Sequence, residues 1–155
     1  MAHPFYAAGN PRFNHVAMSL PADLLAEDSR KEICTFFKEV LGFDEITVMT
    51  EERRRLILSC VHWDQFIFLI AEDDPMRCPR MDHYGFSVGS LDELKGIEER
   101  ARTFRESDDR MQLIDLHVDD QTVVKIHSLY LTYILPMTIE FQYWEFPQPA
   151  GTSAA

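Results

Sequence analysis

The sequence predicts an α+β fold made of two tandem βαβββ modules, and three observations lead there. The pattern Phe13-Asn14-His15-Val16-Ala17-Met18-Ser19-Leu20 returns 68 residues later as Met81-Asp82-His83-Tyr84-Gly85-Phe86-Ser87-Val88. Each copy is followed by a helix-start signal and apolar residues at helical spacing. Each predicted helix then leads to three stretches rich in β-branched and aromatic residues.

The repeated pattern reads as a strand. Successive strand side chains point to opposite faces, so His15, Ala17 and Ser19 share one face and Val16, Met18 and Leu20 the other. His83, Gly85 and Ser87 likewise oppose Tyr84, Phe86 and Val88. The bulky face can cover a helix. The small face cannot fill a core, so it leaves an open surface that a histidine looks into twice, as a metal or ligand pocket requires.

Ser29–Glu32 has the form of a capping box, and Ile33, Phe36, Phe37, Val40 and Leu41 follow on one helical face, with Gly42 placed to end the helix. Ser90–Glu93 is a second capping box, before Leu91, Leu94, Ile97, Ala101 and Phe104. Extended stretches are expected at Glu45–Thr50, Arg55–Val61 and Gln65–Ala71, then at Leu113–Val118, Val123–Tyr133 and Met137–Trp144. Asp119-Asp120 is expected in a turn. These boundaries divide the chain into a tail (1–11), a first module (12–72), a linker (73–80), a second module (81–146) and a C-terminal tail (147–155).

The 155 residues suffice for one domain with a sizeable core. A net charge of -11 argues against nucleic acid, whose phosphates need a basic surface; the one basic run, Arg53-Arg54-Arg55, follows two glutamates and reads as a solvated turn. Cys34, Cys60 and Cys78 form no CxxC motif and no disulfide framework, which fits buried thiols in a reducing compartment. The first residues lack a signal-peptide pattern and no apolar run reaches membrane-spanning length, so a cytoplasmic protein without membrane contact is expected.

The tandem order, with a histidine on the first strand of each module, resembles the vicinal oxygen chelate superfamily, which includes glyoxalase I, bleomycin-resistance proteins, fosfomycin-modifying enzymes and extradiol dioxygenases. The resemblance spans Phe13 to Trp144. It implies curved mixed sheets enclosing a cup with a divalent metal at its floor, and ligands on the first and last strand of each module. The last predicted strand presents Thr138, Glu140 and Gln142 on one face, and Glu140 matches the family carboxylate. His15, His83 and Glu140 would then be the metal ligands, suited to Fe(II) or Mn(II), with Zn(II) or Ni(II) as alternatives. The fourth family ligand falls at Ile67, which cannot bind a metal and so favours the three-ligand members.

Leu129-Tyr130, ten residues before Glu140, is similar to part of the extradiol dioxygenase signature. That resemblance implies a ring-cleaving dioxygenase acting on a catechol-like small molecule, with Tyr130 near the metal; Gln121–Val123 lack the histidine the signature expects, and His127, itself read as a surface or structural residue, is the best candidate for proton transfer. His62 and His117 read as surface or structural residues, and His3 lies in the tail. Phe66, Phe68 and Trp144 are candidate walls of an aromatic substrate pocket. The alternatives are a bleomycin-resistance-type binding protein without catalysis and a glyoxalase- or fosfomycin-type lyase or thiol transferase. A homodimer is compatible with all three, since family modules pair within one chain or across two.

Overall fold

In a computed structural model, which describes residues 13–60 and 64–147, the chain folds as β1 (His15–Leu20), α1 (Glu27–Phe36), β2 (Asp44–Glu45), β3 (Arg55–Ser59), β4 (Phe66–Ala71), β5 (His83–Ser87), α2 (Leu91–Ser107), β6 (Gln112–Asp120), β7 (Lys125–Thr132) and β8 (Thr138–Glu145). The expected βαβββ order occurs twice. The strands form two four-stranded mixed sheets with the same topology, β1-β4-β3-β2 and β5-β8-β7-β6. In each, the first strand of the module lies parallel to the last, and the remaining pairs are antiparallel.

The alternation read from the repeat decides what is buried. Met18, Leu20 and Tyr84 are buried while His15, Ala17, His83, Gly85 and Ser87 are exposed. The bulky faces of both sheets share one apolar core with Ile33, Phe36, Phe37 and Val40 of the first helical segment and Leu94, Ile97, Ala101 and Phe104 of α2. Phe36 links the modules: its ring lies 5.4 Å from that of Phe104 and 4.7 Å from that of Tyr133. Because both sheets turn their bulky sides to this core, their small faces look outward. The two sheets therefore do not close a cup between them within one chain; the second sheet carries a concavity of its own.

Three boundaries differ from expectation, one of them the end of β6, which takes in Asp119 and Asp120 paired with Ile126 and Lys125 where a turn was expected. A 3-10 turn at Ala22–Leu25 buries Leu25 and delivers the chain into α1 at Glu27, two residues before the Ser29–Glu32 box, which leaves that box unused as a cap. Glu27 and Asp28 instead place negative charge in the first turn, where the helix dipole favours it. The segment ends in a π-helical turn at Phe37–Leu41 and the left-handed Gly42 (φ 74°), the stop expected of a glycine there. The expected strand at Glu45–Thr50 shrinks to Asp44–Glu45, since Thr47–Met49 turns away and leaves Val48 exposed at the sheet edge. In contrast, the Ser90–Glu93 box forms: Ser90 Oγ accepts from the Glu93 amide at 3.1 Å and Glu93 accepts from the Gly89 amide at 2.9 Å.

Candidate metal and substrate site

Parallel pairing of β5 with β8 sets His83 opposite Thr138, Gly85 opposite Glu140 and Ser87 opposite Gln142, all on the outward face. His83 Nε2 lies 3.2 Å from Glu140 Oε2. Gly85 makes the approach roomy: a β-carbon there would meet Oε2 at 3.6 Å, an ordinary contact, and anything larger would crowd it. The other carboxylate oxygen is claimed twice, by the Tyr130 hydroxyl at 2.6 Å and the Gln142 amide at 2.9 Å. Glu140 is thus a buried carboxylate (7% exposed) whose charge is met by donors on one oxygen and an imidazole on the other.

The tautomer of His83 gives this pair its meaning. Its Nδ1 stands 2.8 Å from the Met81 carbonyl oxygen, which can only accept, so Nδ1 carries the proton. A neutral His83 then points the bare lone pair of Nε2 at a carboxylate oxygen. That contact repels unless a proton or a cation lies between the two atoms. Two donors about 2.1 Å from one cation and at a right angle to each other stand roughly 3.0 Å apart, close to the observed separation. The backbone-anchored Nδ1 and the doubly bonded Oε1 are the supports that orient metal ligands. The residues fit a divalent cation of the imidazole-and-carboxylate class.

The pair adjoins a cavity of about 470 Å³ on the second sheet. Tyr130, Thr132 and Thr138 form its floor, while Met81, Ile114 and Pro136 give it apolar walls. His117 also lines it, its ring stacked 5.8 Å from that of Tyr130 at 14°. Sequence reading made His117 a surface or structural residue, and strict alternation would set it on the face opposite Ile114. The structure inserts a bulge: Ile114 pairs with Tyr130, but His117, not Leu116, pairs with Ser128. Helix α2 holds the bulged residues, Arg102 bonding Asp115 at 2.7 Å and Glu98 accepting from the Leu116 amide at 2.9 Å. His117 Nδ1 faces the Asp115 carbonyl at 3.2 Å, which leaves Nε2 as its free base. The Tyr130 hydroxyl is pushed up to about 12, chiefly by its bond to Glu140, so it remains a donor at neutral pH.

The other expected site residues lie apart from this center. His15 stacks on Phe66 at 4.8 Å with its Nδ1 2.8 Å from Asn14 Oδ1, beside a second cavity of about 300 Å³ where β1 nears β5. It does not join His83 and Glu140: among the described residues no three His, Cys, Asp or Glu side chains gather around one point. His127 sits on the opposite face of β7 from Tyr130, buried and bonded to Glu145 at 2.7 Å, so it is not at the cavity. Trp144 shares the face of Glu140 and bonds Gln142 at 2.9 Å, but it lies half exposed beyond the cavity wall. Phe66 and Phe68 line the outward face of the first sheet, away from the second-sheet cavity. The position matching Glu140 is Phe68, since Ala17 pairs with Phe68 as Gly85 pairs with Glu140; Ile67 is fully buried in the core. The first module still lacks a polar ligand, though at a neighbouring residue from the one expected. His62 and His3 lie outside the described residues.

No family profile and no curated protein matches the chain. Solved structures do. A glyoxalase/bleomycin resistance protein/dioxygenase from Alicyclobacillus acidocaldarius superposes with a TM-score of 0.61 at 18% identity, covering 87% of this chain and 93% of that one. A glyoxalase/bleomycin resistance protein from Albidiferax ferrireducens T118 gives 0.58 at 13% identity, over 84% and 98% of the two chains. A fosfomycin resistance protein from Listeria monocytogenes gives 0.57 at 12% identity, over 87% and 94%. At these identities the likeness is one of fold, and it agrees with the duplicated βαβββ order. The chain has the fold of these glyoxalase/bleomycin resistance/dioxygenase proteins.

Proposed function

We propose that the protein is a metal-dependent enzyme that takes a small molecule into the second-sheet cavity and acts on it through two adjacent oxygens, with extradiol-type cleavage of a catechol-like ring as the reaction. The observation that carries this reading is His83 Nε2 facing Glu140 Oε2 at 3.2 Å beside that cavity, with Nδ1 held by the Met81 carbonyl. A divalent cation held there, Fe(II) or Mn(II) in this reaction, would polarise the two substrate oxygens and serve as a template for O2.

The chain's own residues supply the rest. Tyr130 and Gln142 fix the carboxylate so that Oε2 alone is presented. The apolar walls of Ile114 and Pro136 exclude water from one side of a flat ring. His117, with Nε2 free in the same cavity, accepts the proton that a substrate hydroxyl releases on binding, the role sequence reading gave to His127. The third ligand is His15 of a second copy, which makes the working unit a homodimer. Mixing His15→Ala chains with Glu140→Gln chains then gives mixed dimers in which one of the two sites has all three ligands, whereas dimers of either variant alone have no such site.

The test is anaerobic loading of purified protein with Fe(II), followed by O2 consumption with a panel of catechols. Ring cleavage yields a yellow product; its absence with every catechol contradicts the reaction. A second reading, a binding protein without catalysis, is favoured by one feature: a doubly protonated His83 would close on Glu140 as an ion pair with no metal at all. Elemental analysis after purification without chelators separates the two.

A further inference from the structure

The geometry points to Arg80 as an anion-recognition residue, so that the cavity selects aromatic molecules bearing a carboxylate over uncharged ones. This rests on the proposed use of the second-sheet cavity as the substrate site. Arg80 lines that cavity and is its one permanently charged wall residue. The chain has 26 acidic residues against 15 basic ones, and most of the described arginines lie within 4.0 Å of a carboxylate: Arg30 of Glu45, Arg53 of Asp23, Arg54 and Arg55 of Glu51, Arg102 of Asp115 and Arg110 of Glu32. Arg80, among the described residues, makes no ion pair and no hydrogen bond. An unpaired guanidinium at the mouth of a pocket in so acidic a protein offers two parallel donors to a planar anion, and a carboxylate takes both.

The remaining lining limits what else the ligand can carry. Ile114, Pro136 and the Tyr130 ring suit a flat apolar body, and Thr132 and Thr138 already engage each other at 3.1 Å. A benzoate-like molecule satisfies both halves of the cavity: its ring lies on the apolar wall and its carboxylate meets Arg80. A phosphonate or phosphate dianion would want a second permanently charged side chain beside Arg80, and the cavity wall holds none.

The experiment compares binding of isosteric pairs by calorimetry, 3,4-dihydroxybenzoate against 3,4-dihydroxybenzamide and benzoate against benzamide, to the wild type and Arg80→Gln. The expected result is a roughly five- to tenfold preference for each acid in the wild type, weakened by added salt and abolished in Arg80→Gln, with amide affinity unchanged. Equal affinity for acid and amide in the wild type, no binding of any of the four, or a preference that survives in Arg80→Gln overturns the assignment. The pair without hydroxyls is also run on Glu140→Gln. An acid preference that persists there upholds Arg80 even if no metal or ring cleavage is found.

Discussion

His15 and His83 hold the same place in the two halves of the repeat, yet they look onto different chemistry. His83 meets a carboxylate 3.2 Å away, and its neighbour across the sheet from Gly85 is Glu140. His15 stacks on Phe66, and the residue paired with Ala17 is Phe68. The duplicated scaffold thus offers one register position twice and fills it once with a charge and once with a ring. Strand order, pleat and the small outward face come with the repeat. What the surface can bind is set by that one side chain and by the glycine that gives it room.

The largest effect that would sharpen the comparison comes from the histidines. His83→Ala removes the nitrogen donor of the one preformed pair, and its loss of metal affinity should exceed hundredfold by titration calorimetry with Mn(II). His15→Ala removes a ring that meets no carboxylate in its own chain, and should cost less. Equal losses would mean that both modules contribute alike to one site.

Tyr130→Phe comes next. It deletes the 2.6 Å bond that orients Glu140 while leaving the fold intact, so metal affinity should fall about 10–100-fold with little change in melting temperature. An unchanged affinity would show that Gln142 alone positions the carboxylate.

Gly85→Val is smaller and more local. A β-carbon fits at 3.6 Å from Oε2, but the added methyl groups crowd it, so metal affinity should drop roughly tenfold, while Gly85→Ala stays near the wild type. Ala17→Val, the matching change in the first module, should leave metal binding unchanged.

The smallest effect probes the joint between modules. Asp108 accepts from Arg110 and from the Tyr133 hydroxyl, and Arg110 also reaches Glu32 of α1. The Arg110 guanidinium foremost, with the Tyr133 hydroxyl, holds the Asp108 carboxyl well below the usual carboxylate range. A depressed carboxyl stabilises the fold above the unfolded-state value near 4 and loses that contribution as pH falls through its folded value. Asp108→Asn should therefore lower the melting temperature by a few degrees at pH 7, with the gap to the wild type narrowing below about pH 4. A gap constant from pH 7 to pH 3 would contradict the ion pairing.

Much of this arrangement was legible before folding. The repeat and the period-two alternation place His83, Glu140 and Tyr130 on one surface, because parity along a regular strand is strict. The same parity already separates His127 from Tyr130, three residues apart on β7. Three features were not legible. The bulge at Asp115 and Leu116 turns His117 into the cavity, and its cause is tertiary: Glu98 and Arg102 of α2 hold it, and local sequence carries no sign of that. The register of β4 against β1 decides between Ile67 and Phe68, and an unbroken apolar run such as Phe66–Leu69 has no polar residue to mark which face is which. The helix start at Glu27 belongs to the same class, since burial of Leu25 outweighs a well-formed capping box two residues on.

The central claim is that His83 and Glu140 are poised to share a cation. Metal content of chelator-free protein, read by plasma mass spectrometry alongside the Glu140→Gln variant, tests it most directly. The account predicts one divalent metal per chain in the wild type and almost none in the variant. A wild type as metal-free as the variant, even after Mn(II) or Fe(II) is supplied, would contradict it and leave the two side chains as a simple ion pair.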